Sequence, residues 1–173
     1  ILVGHFASMT GAEATFGQST DNGIRLAIAE RNAAIDAGTL KGRKIELKTL
    51  DDAGKPQEAG TAVTRLITQD HAVAILGEVA SGLSLAGGQV AQQHGVPMIS
   101  PSSTNPKVTE TGDYIFRVCF IDPFQGTVMA NFASKTLQGI TTEVLGSDGI
   151  SYAPTTPVAE GVAHYWKWLA PRL

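Results

Sequence analysis

Residues 72–106 read AVAILGEVASGLSLAGGQVAQQHGVPMISPSSTNP, and the order of signals within them decides the fold. Residues 72–76 are short, apolar throughout and bounded by Gly77, the pattern of a strand buried on both faces. Residues 77–84 read as the loop that follows. A helix over about 83–94 ends at Gly95, and residues 96–100 supply the next strand. Two strands joined through one helix need a crossover connection, so they lie parallel in one sheet. The run from Pro101 to Pro106 cannot easily continue a strand and is expected to be a loop.

The same alternation extends in both directions. Residues 1–6 form a short buried strand, followed by a small-residue turn over 7–17. A helix then carries Ile24, Ala27 and Ile28 at the spacing of one buried face, and Gly38 and Gly42 close it. Residues 44–50 alternate as a half-buried strand that ends at Asp51-Asp52. Pro56 suits the first turn of a helix whose inner stripe is Ala59, Ala62, Val63, Leu66 and Ile67. After the 101–106 loop, residues 114–120 give a fifth strand, and Asp122 is placed to cap a helix running to about Leu137. Strand and helix in turn predict an α/β fold, a doubly wound parallel sheet with helices on both faces.

Beyond Leu137 the pattern changes. Residues 140–145 read as one more strand, 146–149 as a turn and 158–169 as a helix. Tyr165, Trp166, Trp168 and Leu169 make that helix too apolar to stand alone in water. The expected organisation is a ligand-binding lobe over 1–138 and a remnant over 139–173 that packs on the lobe or on a partner.

Composition narrows the function classes. With 43% hydrophobic and 17% charged residues the 173-residue chain can build one sizeable core. Thirteen basic against sixteen acidic residues leave a formal charge of −3. That balance offers no basic footprint for nucleic acid or an anionic membrane, and a small neutral or zwitterionic partner fits better. Glu78 interrupts the longest apolar run, so no membrane span is expected. The single cysteine, Cys119, lies in an apolar run and reads as a buried strand residue with no partner for an internal disulfide. Four scattered histidines match no metal spacing, and neither a phosphate loop nor a dinucleotide fingerprint is present. No metal and no cofactor is expected.

In an open α/β sheet, ligands bind outside the carboxyl ends of the strands. That rule selects the loops around 7–15, 51–55, 77–84, 100–105 and 122–125. Two of these are rich in hydroxyls, residues 78–84 and 100–105. Hydroxyls and free amides at a helix start can hold a carboxylate without a basic side chain, and carbonyls freed by the 101–104 turn can accept from an ammonium. A zwitterion is therefore a natural guest. Judged from composition alone, Ser81 and Thr104 serve equally well as helix caps and turn formers.

Other constellations are weaker. Gly82-Leu83-Ser84-Leu85-Ala86 resembles a nucleophile elbow, which makes an α/β serine hydrolase using Ser84 the alternative from another class. Its final glycine is replaced by alanine, and neither His94 nor His164 stands where a triad histidine is expected. Asp51-Asp52 would suit a metal or a phosphoacceptor pocket only with a lysine after a later strand, and residues 120–123 offer none. These aspartates are expected to be caps and solvated loop residues.

Residues 1–23 with Gly11 and Phe16-Gly17, residues 50–53 (LDDA), 77–81 (GEVAS), 98–106 (MISPSSTNP) and 116–120 (FRVCF) resemble, in order, the first lobe of type I periplasmic binding proteins. The subgroup they look most like is the leucine/isoleucine/valine-binding family of ABC importers. The resemblance implies a non-enzymatic, exported protein, periplasmic or lipid-tethered, whose leader has been removed. It implies a branched-chain or related amino acid as ligand and a membrane permease as partner. It puts the ligand carboxylate on Ser81 and Thr104, the ammonium on the carbonyl of Ser102, and an aromatic cover on Phe16. Residues 146–149 resemble a piece of the second lobe, in which Asp148 would meet the ammonium. A receptor-like sensor with the same pocket is a further reading.

Family members close a second α/β lobe over the ligand by hinge bending, and most of that lobe lies outside the resemblance. A half-site leaves the ligand wet and its contacts weak, so weak or absent binding by this chain alone is expected. Its open inner face and the Trp166/Trp168 segment leave a homodimer as one way to supply the cover.

Overall fold

Every strand of the computed structural model runs in the same direction. The model describes residues 1–137, of which Ile1–Asp122 form one compact unit and the helix Asp122–Leu137 (α5) is otherwise part of a second. The expected strand, turn and aromatic helix beyond 139 lie outside the described residues, as does Asp148.

The sheet comprises β1 (Leu2–Ala7), β2 (Glu46–Asp51), β3 (Ala74–Leu76), β4 (Met98–Ser100) and β5 (Ile115–Arg117), in the order β2-β1-β3-β4-β5. Between them run α1 (Ala14–Asp36), α2 (Pro56–Thr68), α3 (Ser81–Gln93) and a one-turn α4 (Lys107–Glu110). Register is continuous across the centre: Gly4 pairs with Lys48 on one side and Ile75 on the other, Ile75 pairs with Met98, and Met98 with Ile115. The doubly wound parallel sheet predicted from the strand and helix alternation is the fold observed.

The period of two along each strand separates two faces. Phe6, Ile75, Met98 and Ile115 point toward α2 and α3 and are buried there with Ala59, Val63, Leu66, Leu83 and Ala91. A Cβ on Gly87 would lie 2.5 Å from Phe6 Cζ, so only glycine lets α3 sit this close to β1. The opposite face takes α1, anchored by Asp21 on His5 of β1 and Thr49 of β2. Chain connections therefore leave β1 in one direction and β3 in the other, and the crevice between their carboxyl ends is the switch point of the sheet.

Four expectations need correction. The turn after β1 is shorter than read: α1 already begins at Ala14, so Phe16 stands in its first turn rather than in a loop. The inner face of α1 is not the apolar trio, because Ala27 is exposed and Ile24 and Ile28 are half-buried, while Gly17 and Asp21 are its buried residues. This helix is held by polar contacts more than by apolar burial. Strand β3 is less enclosed than the run buried on both faces that was expected: Ile75 is buried, but Ala74 and Leu76 are half-buried and Val73 before them is 56% exposed. Ile99 and Phe116, paired in register on the α1 side, are 39% and 48% exposed. Cys119 lies past the end of β5 and is half-buried.

Candidate functional site

Four loops emerge at the carboxyl ends of β1 to β4, and one residue ties them together. Glu78, the second residue after β3, is 1% exposed. Its Oε1 accepts the Ser8 amide at 2.7 Å and stands 2.8 Å from the Ser8 hydroxyl in the loop after β1. Its Oε2 accepts the amide of Ala80 at 2.6 Å, which bends the chain into α3. Its main-chain carbonyl receives the hydroxyls of Ser84 and Ser100 at 2.9 Å each, and Ser103 Oγ stands 3.1 Å from it. The loop after β2 joins through Asp52, whose Oδ1 is 2.9 Å from Ser8 Oγ.

Asp51 and Asp52 divide the work at the end of β2. Asp51 accepts the amides of Met9, Thr10 and Ala53 and the Thr10 hydroxyl, stapling the first loop to the second. Burial opposes its ionisation, but these donors outweigh it and hold the carboxyl below its usual range. Asp52 is wholly buried, contrary to the expected solvated loop residue, and burial pushes its carboxyl up. No group of three His, Cys, Asp or Glu side chains is gathered to hold a metal among the described residues.

Ser81 opens α3. The helix has no side-chain cap, since the residue before it is Ala80, and the amides of Ser81 and Gly82 make no hydrogen bond among the described residues. Free first-turn amides concentrate the positive end of the helix dipole at this spot. The Ser81 hydroxyl accepts the amide of Asn105 at 3.3 Å, which brings the 100–105 loop alongside the start of α3. In that loop Ser102 and Thr104 are half-exposed. The carbonyl of Ser102 and the amide and hydroxyl of Thr104 have no protein partner among the described residues, whereas the Thr104 carbonyl accepts the Asp122 amide at 3.0 Å. Ser81 and the 102–104 turn are thus neighbours, with polar groups left over. Phe16 is 63% exposed in the first turn of α1.

The loop holding Ser102 and Thr104 is shaped from β5. Arg117 donates to the carbonyls of Ser103 (2.9 Å), Asn105 (2.8 Å) and Pro106 (2.8 Å) and to the Thr109 hydroxyl (2.6 Å). One planar guanidinium therefore fixes a turn that has no ladder of its own. Nothing in the spacing of the sequence singled out Arg117, Ser8, Asp52 or Glu78 for these roles; Glu78 drew notice as a charge inside an apolar run and as part of the 77–84 loop, not as a tie between loops.

Ser84 is not placed as a nucleophile. It is fully buried in the first turn of α3, donates to the Glu78 carbonyl and accepts from Ser103 at 2.8 Å. His94 is at the far end of the same helix, its Nδ1 paired with Val90 O.

A five-stranded parallel lobe with an uncapped helix start and a serine-threonine turn at its switch point presents polar groups where open α/β sheets bind their ligands. Residues 1–167 match the family described as periplasmic binding protein, and the chain belongs to that family. Its relatives include leucine- and isoleucine-binding members. A leucine-binding protein from Thermotoga maritima is 40% identical at a TM-score of 0.68, over 80% of this chain and 38% of that one. The branched-chain amino acid transporter substrate-binding protein of Streptococcus pneumoniae, solved with isoleucine, is 36% identical at a TM-score of 0.72, over 80% of this chain and 39% of that one. An amino acid binding protein of Pseudomonas aeruginosa is 36% identical over 139 residues, which is 80% of this chain and 36% of its own length. The chain thus spans well under half the length of the relatives it matches.

Proposed function

We propose that this lobe binds the charged end of a small aliphatic amino acid, as part of the solute-binding component of an ABC importer outside the cytoplasmic membrane. Binding, not catalysis, is its activity, and a membrane permease is its partner. The observation that carries the reading is the pairing of the uncapped start of α3 with the 102–104 turn. Free amides and the Ser81 hydroxyl suit a carboxylate, and Thr104 adds an amide and a hydroxyl from the facing loop. The carbonyl of Ser102 suits an ammonium, and Phe16 an aliphatic side chain. Asp148, outside the described residues, is the proposed anionic partner of the ammonium.

Leucine and isoleucine lead the ligand list because the solved relatives are a leucine-binding protein and a complex with isoleucine. Calorimetric titration with leucine, isoleucine, valine and a panel of other amino acids tests the proposal. Loss of one hydrogen bond to a charged ligand costs about 2 kcal/mol, so Ser81→Ala should weaken binding roughly thirtyfold. Unchanged affinity in Ser81→Ala and in Thr104→Ala would remove the site; no heat from a folded chain with any member of the panel would mean that this lobe alone is a structural remnant of a binding protein or that its ligand lies outside the panel.

A further inference from the structure

Ser8 stands between two buried carboxyl groups. Its Oγ is 2.9 Å from Asp52 Oδ1 and 2.8 Å from Glu78 Oε1, and all three side chains are closed to solvent. Two hydrogen bonds among three oxygens require two protons, and a hydroxyl carries only one. The remaining partners are unequal. Glu78 receives the amides of Ser8 and Ala80, one on each oxygen. Asp52 receives the Gly54 amide on Oδ1, while its Oδ2 is buried with no partner among the described residues. Two carboxylates competing for one hydroxyl proton, shielded from water, drive one of the pair to keep its own proton. Glu78 has an amide on each oxygen and Asp52 has a bare one, which makes Asp52 the member of the pair that keeps the proton.

We infer that Asp52 Oδ1 carries a proton donated to Ser8 Oγ, that Ser8 in turn donates to Glu78 Oε1, and that this shared-proton joint positions the loops after β1 and β2 against the start of α3. Asp52 is then a positioning residue for Ser81, acting through Ser8 and Glu78; that part rests on the binding reading above. Loss of the proton to solvent leaves two buried anions around one hydroxyl, and the joint opens.

The charged surroundings agree. Burial raises the Asp52 carboxyl most, opposed by the Gly54 amide and Ser8 hydroxyl, with Glu78 and Asp51 adding repulsion. Asp51 is ionised and held by its own donors. From β1, His5 feels the charge of Glu78, but burial lowers its proton affinity despite the Asp21 contact, and at neutral pH it is uncharged. The Lys55 side chain is exposed, and its contribution next to Asp52 is its amide, which donates to the Asp52 carbonyl. A group whose folded value is raised stabilises the fold below its unfolded value and loses that contribution as pH rises through the folded value. The joint is therefore weakened by rising pH.

Infrared spectroscopy of the unmodified chain, without ligand, reads the proton directly. A protonated-carboxyl stretch should persist above the pH range in which ordinary carboxyls ionise, vanish as pH rises further, and be absent in Asp52→Asn. Thermal stability of the unmodified chain should fall as pH rises toward the range in which the band disappears and level off beyond it, and Asp52→Asn should stay flat, because the amide donates permanently. Leucine affinity should follow the same split. A missing band, a band that survives Asp52→Asn, or stability that depends on sodium at fixed ionic strength would overturn the joint. If Asp52→Asn does not fold, Ser8→Ala replaces it: its band should shift in frequency because the acceptor is gone, and an unshifted band counts against the relay. Binding without a band sinks the joint alone, and a band without binding leaves the joint standing and counts only against a ligand site complete in this lobe.

Discussion

The amide of Asn105 reaches the hydroxyl of Ser81 at 3.3 Å, joining the loop after β4 to the first residue of α3. The contact is long and half-exposed, so it contributes little to folding. Ser81→Ala should therefore change unfolding free energy by less than about 1 kcal/mol, measured in urea, while the amino-acid affinity falls. A large stability loss would reassign Ser81 from ligand contact to loop brace.

Arg117 is the stronger brace. Its guanidinium serves three carbonyls and one hydroxyl of the 103–109 segment, and a point charge on a flexible stem cannot reproduce that fork. Arg117→Lys should destabilise by about 2 to 3 kcal/mol and weaken amino-acid binding together, since Thr104 lies inside the braced turn. Denaturant unfolding and calorimetry on the same variant check both.

Gly17 permits α1 to lie against the loop after β1. A Cβ there would sit 2.2 Å from the Ser8 carbonyl oxygen, a backbone atom that cannot swing aside. Gly17→Ala should cost about 2 to 3 kcal/mol despite its better helix propensity. Because Ser8 is part of the joint with Glu78, hydrogen exchange at the Ser8 amide should rise in the same variant.

Acid acts on the other face of the sheet. Burial raises Asp21, yet hydrogen bonds from Thr49, Arg25 and His5 outweigh it and leave the carboxyl below its usual range. Its contribution is present above the unfolded value and is lost as pH falls through the folded one. Asp21→Asn should flatten the acid limb of stability against pH. The depressed His5 gives a separate and earlier loss, starting as pH drops below the ordinary imidazole value, which the pH dependence of its NMR shifts would follow.

Legibility in the sequence followed the physics of each feature. The α2 stripe of Ala59, Ala62, Val63 and Leu66 was readable because burial on one side imposes a period on the chain. The helix α1 misled, because Gly17 and Asp21 seat it by close approach and hydrogen bonding, neither of which leaves an apolar period. The one-turn α4 is too short for a period to form. Ser81, Ser102 and Thr104 were reached through their loops and a family resemblance. Asp52 and Glu78 were not, since a buried carboxyl and a solvated one look identical until the partners are placed around them.

Glu78 touches the first loop through one carboxylate oxygen, the start of α3 through the other, and the fourth loop through its carbonyl. Three segments far apart in the chain therefore share a single abutment, with the second loop attached through Ser8. Exchanging any one of them for the equivalent segment of a relative transplants only part of a keyed assembly. Chimaeras should recover function when all four loops travel with the residue between them, and single-loop swaps should show strong epistasis.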